Sequence, residues 1–157
     1  MKRSALLTVF VGSIIALAGP AAAQGSLDGR WLTQDKRAVV EVTPCGAKEC
    51  GRIIWIKDPI SPQTGKPRVD KNNPDAGQRH RPIIGLTTLY NIAPATENLW
   101  NAVSYDPRDG ETHEITVRLS ASGNKIELRG CALGGFVCQS EIWSKASDQL
   151  PAATTAN

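Results

Sequence analysis

The sequence predicts an all-β fold, an eight-stranded antiparallel up-and-down barrel. Three observations carry that expectation: turn clusters recur at short intervals from residue 28 onward, β-rich runs lie between them, and no stretch of a dozen residues holds a helical apolar period. Alternation is cleanest at 112–120, where Ile115, Val117 and Leu119 fall on one face and Glu114, Thr116 and Arg118 on the other. Residues 125–130 repeat it, setting Ile126 and Leu128 against Lys125, Glu127 and Arg129.

In chain order the expected strands are 29–33, 38–43, 51–57, 85–91, 99–105, 112–120, 125–130 and 136–145. Most connections are of hairpin length, and Asp106-Pro107-Arg108-Asp109-Gly110 and Ser122-Gly123-Asn124 supply residues that tolerate turn geometry. Eight such strands lose their exposed edges by closing, which leaves an interior just wide enough for side chains or one small ligand. Successive tips of a meander alternate between ends, so the connections after strands one, three, five and seven share one end.

The connection at 58–84 breaks the short-loop rule. It contains five prolines and the polar run Asp70-Lys71-Asn72-Asn73-Pro74-Asp75. Long ordered loops serve as lids or binding loops, and flexible insertions are also common; both readings stand at this point. Asp70, Asn73 and His80 are the residues expected to act in a lid. The tail 148–157 reads as disordered.

Residues 1–23 have the three parts of a secretory signal: basic Lys2 and Arg3, an apolar run at 5–18 and the small-residue site Ala21-Ala22-Ala23. The run falls short of the roughly 20 residues that span a bilayer. Cleavage before Gln24 leaves 134 of the 157 residues, with one barrel domain over 24–147, periplasmic or secreted. Losing Lys2 and Arg3 takes the basic count from 18 to 16 against 15 acidic residues, so the formal charge falls from +3 to +1. A nearly neutral chain without a Lys/Arg run offers no footprint for nucleic acid, and no membrane insertion is expected.

Four cysteines in an exported chain favour disulfides. Cys45 and Cys50 flank one tip and Cys131 and Cys138 a tip at the opposite end, so each pair is expected to close its own hairpin. Neither has the spacing of a redox or zinc motif.

The ordered set Gly29-x-Trp31, Cys45-Gly46, Cys50-Gly51-Arg52-Ile53, Asp70-x-x-Asn73-Pro74, Gly85-Leu86, Tyr105-Asp106-Pro107-x-Asp109-Gly110, Arg129-Gly130 and Trp143-x-Lys145 resembles the bacterial exported family catalogued as domain of unknown function 2147. The resemblance covers nearly the whole mature chain and implies a lipocalin-like barrel with no established activity. Lys145 stands where members tend to have arginine, and Cys131 and Cys138 are additional to the common pattern.

Chemistry-bearing residues are sparse. His80 and His113 lack a nucleophile motif or metal pattern and read as solvated or structural. The Asp70–Asp75 run lacks the glycine and closing glutamate of a calcium loop, and Asp106 and Asp109 are explained by turn chemistry. No catalytic residue, metal or cofactor is implied. Trp55, Tyr90, Trp100 and Tyr105 fall on four expected strands and are the candidates for ligand contact, with core packing as their default role; Trp31 and Trp143 mark the first and last strands. The sequence therefore points first to a binding protein for a small, partly apolar molecule. An envelope interaction module comes next and an envelope enzyme last, with oligomeric state open.

Overall fold

The computed structural model describes residues 25–147. Residues 1–23, read as a signal peptide, and 148–157, read as a tail, lie outside the described residues.

The strands are β1 (Gly29–Leu32), β2 (Ala38–Cys45), β3 (Lys48–Ile56), β4 (Thr87–Thr96), β5 (Leu99–Asp106), β6 (Glu111–Leu119), β7 (Lys125–Ala132) and β8 (Val137–Lys145). Each pairs antiparallel with its sequence neighbours and β8 returns to β1, so the barrel is closed. The closing seam is short, with Trp31 opposite Lys145 and Leu32 opposite Ser144. It is extended by the Ala146 amide donating to the Arg30 carbonyl (2.8 Å) and by Lys145 Nζ donating to the Asp28 carbonyl (3.4 Å).

Boundaries differ from the sequence expectation where a turn is tighter than its composition suggests. β2 runs to Cys45 and β3 begins two residues before Cys50, leaving only Gly46 and Ala47 between paired Cys45 and Lys48. Cys45 therefore bonds Cys50 across a diagonal, with Cα atoms 5.8 Å apart, whereas Cys131 and Cys138 face each other directly at 4.0 Å. Both pairings are the local ones expected, and two disulfides suit an oxidising compartment. β4 begins two residues late and continues to Thr96 despite Pro94. Register shifts on both sides of Pro94 and a left-handed Asn91 (φ 54°) absorb the missing amide.

The barrel is packed at one end. Trp31 is fully buried, and its indole N–H donates to the Leu27 carbonyl at 2.8 Å. Leu27 thereby folds over the end of the barrel, where Trp31, Trp100, Val117, Leu119 and Ile126 belong to one buried cluster. Gly51 belongs to the same tight packing: a Cβ there would stand 2.9 Å from Leu89 Cβ and from Val40 Cγ1. Gly51→Ala should therefore destabilise the protein by about 1–3 kcal/mol through overpacking, read as a lower urea midpoint at unchanged slope.

Candidate functional site

The other half of the barrel is hollow. A cavity of about 1100 Å³ opens at the end shared by the β1–β2, β3–β4, β5–β6 and β7–β8 connections. Its inner walls include Val40, Ile53, Ile115, Leu128 and Trp143. Smaller inner-face residues make room for it: Ser104 pairs with His113, and Gly130 pairs with Ile115 and Gln139, all lining the space. Charge is confined to the rim, where Asp35, Arg37, Arg68, Lys71, Arg108 and Glu141 come from four different segments.

The long β3–β4 connection forms one wall. Bridges Ile60 to Pro67 and Val69 to Pro82 fold it into small antiparallel arms, and Asp75 caps a short 3-10 turn at Ala76–Gln78. Asp70, wholly buried, pins it to the barrel. Its carboxylate accepts from the Tyr105 hydroxyl of β5 (2.7 Å), from Asn73 Nδ2 (2.8 Å) and from Arg81 Nε (2.9 Å). Asn73 Nδ2 also reaches the Tyr105 oxygen at 3.0 Å, and the Arg81 guanidinium lies 5.6 Å from the Tyr105 ring centre. Burial pushes the Asp70 pKa up, but the three hydrogen bonds and the Arg81 charge outweigh it and hold the carboxyl below its ordinary value. Burial and the adjacent Asp70 carboxylate raise the Tyr105 pKa, keeping its phenol a donor.

A second junction fastens the loop to the β5–β6 turn. Asn72 Nδ2 donates to the Arg108 carbonyl at 2.5 Å, and Gly110, at φ +82°, lies so close that a Cβ would overlap the Asn72 carbonyl oxygen. Arg108 in turn reaches across the mouth. It grips Asp106 (2.7 Å) and lies 3.8 Å from Asp35 of the β1–β2 connection and 3.9 Å from Glu141 of β8. Hydrogen bonding to Asp106 chiefly raises its pKa, so the guanidinium is permanently charged.

The aromatic candidates are divided by the register. Tyr105 lines the cavity and carries the Asp70 anchor. Trp100 is packed in the closed half, Trp55 pairs with Val39 away from the cavity lining, and Tyr90 lines a separate groove of about 310 Å³ with Arg52 and Arg81. Trp143, read from sequence only as a strand marker, is the indole that lines the cavity, its N–H donating to Glu141 at 3.0 Å. Of the loop residues, Asp70 and Asn73 form the clamp, whereas His80 is exposed and not in the lining. His113 lines the rim 3.4 Å from Glu111, and among the described residues neither histidine hydrogen-bonds a hydroxyl or thiol.

Tyr105→Phe should cost about 1–3 kcal/mol by leaving a buried carboxylate short of a donor, measured by urea unfolding. Because the Asp70 pKa is lowered on folding, its contribution is complete above about pH 4 and disappears as pH falls through the folded value. Asp70→Asn should therefore flatten part of the acid limb of a melting-temperature profile, leaving the shares of Asp35 and Asp106, which shift in the same direction.

Comparison with known proteins agrees with this architecture. No curated protein matches the sequence. Protein HP1028 from the human pathogen Helicobacter pylori, described as belonging to the lipocalin family, superposes with a TM-score of 0.66 at 21% identity, covering 80% of this chain and 86% of that one. At that identity the likeness is one of fold. Residues 29–145 match the family described as "Uncharacterized protein conserved in bacteria (DUF2147)", a span that includes every strand and the long loop. With most of its length matched, the chain belongs to the DUF2147 family, and its barrel is lipocalin-like.

Proposed function

We propose that the protein binds one small amphiphilic molecule inside the barrel and works as a carrier or sensor in an oxidising compartment after export. The observation that carries this reading is the cavity itself: about 1100 Å³, with apolar walls, a charged rim and a mouth beside the clamped loop. Ligand sites are concave, mostly apolar and fitted with a few polar groups that fix orientation. A barrel filled by side chains would have no room for such a molecule. The clamp argues for a preformed site, since Asp70 and Asn72 fix the loop wall to β5 and the β5–β6 turn.

The reading is tested by filling the space. Ser104, on the inner wall, can be replaced by tryptophan without touching the packed end. Ser104→Trp should weaken binding of the fluorescent probe N-phenyl-1-naphthylamine at least about tenfold, close to the loss of one good apolar contact set. Native mass spectrometry of protein purified from its own envelope should show an added mass that this variant lacks. Equal probe binding by both proteins would sink the reading.

One observation favours a second reading, an envelope interaction module. The β7–β8 tip exposes Leu133 (76%), Phe136 (92%) and Val137 (51%) beside the Cys131–Cys138 disulfide, with no charged residue between the cysteines. If a partner docks there, Leu133→Ser with Phe136→Ser should abolish cross-linked complexes in intact cells while probe binding in the cavity persists. Unchanged cross-links would remove this reading.

A further inference from the structure

The charges around the mouth are not equally satisfied. Each of the six lining carboxylates has a partner. Asp35 accepts from Thr33 Oγ1 (2.7 Å) and the Arg37 amide (3.0 Å), and Asp58 accepts from the Arg37 guanidinium (2.8 Å). Asp106 holds Arg108, Asp109 accepts from the Glu111 amide (2.8 Å), Glu111 lies 3.4 Å from His113 Nε2, and Glu141 accepts from the Trp143 indole (3.0 Å). Arg37 and Arg108 are thereby committed.

Two lining cations are not. Arg68 is half-buried, and its Nε donates to the Asp58 carbonyl at 2.8 Å; among the described residues its terminal nitrogens bond nothing. That one bond anchors the guanidinium through Nε and leaves its fork free. Lys71 follows three residues later on the same wall, its ammonium likewise without an acceptor among the described residues. A guanidinium fork and an ammonium on one wall of a cavity are the groups that receive a planar or tetrahedral oxyanion.

Resting on the reading of the cavity as a binding site, we propose that the ligand is an anionic amphiphile. Its carboxylate or phosphate head is held at the mouth by Arg68 and Lys71, and its apolar body lies along Ile53, Ile115 and Leu128. The Asp70 clamp stands directly behind the head-group residues in the chain, with Asp70 between Arg68 and Lys71. Docking of the loop and presentation of the two cations are thus one event.

Chain-matched surfactants test the head group. Dodecanoate, dodecyl phosphate, dodecanol and dodecyltrimethylammonium are each titrated against N-phenyl-1-naphthylamine bound to the full chain, below their micelle concentrations. Dodecanoate or dodecyl phosphate should displace the probe about tenfold more tightly than dodecanol, the scale of a charge-assisted hydrogen-bond pair. Whichever of the two anions is tighter identifies the head as carboxylate or phosphate. Arg68→Gln with Lys71→Gln should bring the anion-to-alcohol ratio within about twofold, and Lys71→Arg should keep it. Both ligands are compared on one protein, so loss of folded material leaves the ratio intact. Dodecanol or the trimethylammonium binding as tightly as the anions, or the double glutamine variant keeping the preference, overturns the proposal. Absence of probe binding to the unmodified protein, by contrast, overturns the cavity reading itself and this proposal with it.

Discussion

A carboxylate with no exposure to water must be surrounded by donors, and Asp70 has three. Two come from its own loop and one from Tyr105, 35 residues away on β5. Undocking the loop would strip the carboxylate of the Tyr105 donor, a hydrogen bond whose loss at a buried carboxylate costs about 1–3 kcal/mol. The loop is therefore stable against the barrel in one position. Everything at the mouth follows from that position: the wall of the cavity, the approach of Asn72 to Gly110, and the placement of Arg68 and Lys71.

The barrel has one solid half and one hollow half because side-chain volume is distributed unevenly along its inner face. Trp31, Trp100, Leu27 and their neighbours fill the cross-section at one end. Toward the mouth the same inward rows pass to Thr33, Ala38, Ser104 and Gly130, too small to meet across an eight-stranded cross-section. The transition occurs within single strands: β6 turns Val117 into the packed core and Ile115, two residues earlier, into the cavity wall.

Local rules made the strands and hairpins legible, since alternation and turn residues act over a few positions. The two disulfides followed from the same topology. Sequence pattern reached less far where the outcome depends on register. The bulges flanking Pro94 and between Val39 and Val40 change which side chains point inward, and with them the roles of Trp55 and Tyr90. Asp70 and Asn73 are legible as loop residues, whereas the sequence pattern points their partner Tyr105 toward ligand contact; only the folded loop joins the two. Arg68 and Lys71 carry no signal in the sequence, because what distinguishes them is that, among the described residues, they lack the carboxylate partners that Arg37 and Arg108 possess.

The closing seam has a consequence for orientation. Hydrogen bonds from Ala146 to Arg30 and from Lys145 to Asp28 hold the first and last strands' outer ends together at the packed end of the barrel. The chain thus enters and leaves on the side away from the opening. A new peptide link joining those two points of the described barrel would lie away from the opening and leave access to the interior unobstructed.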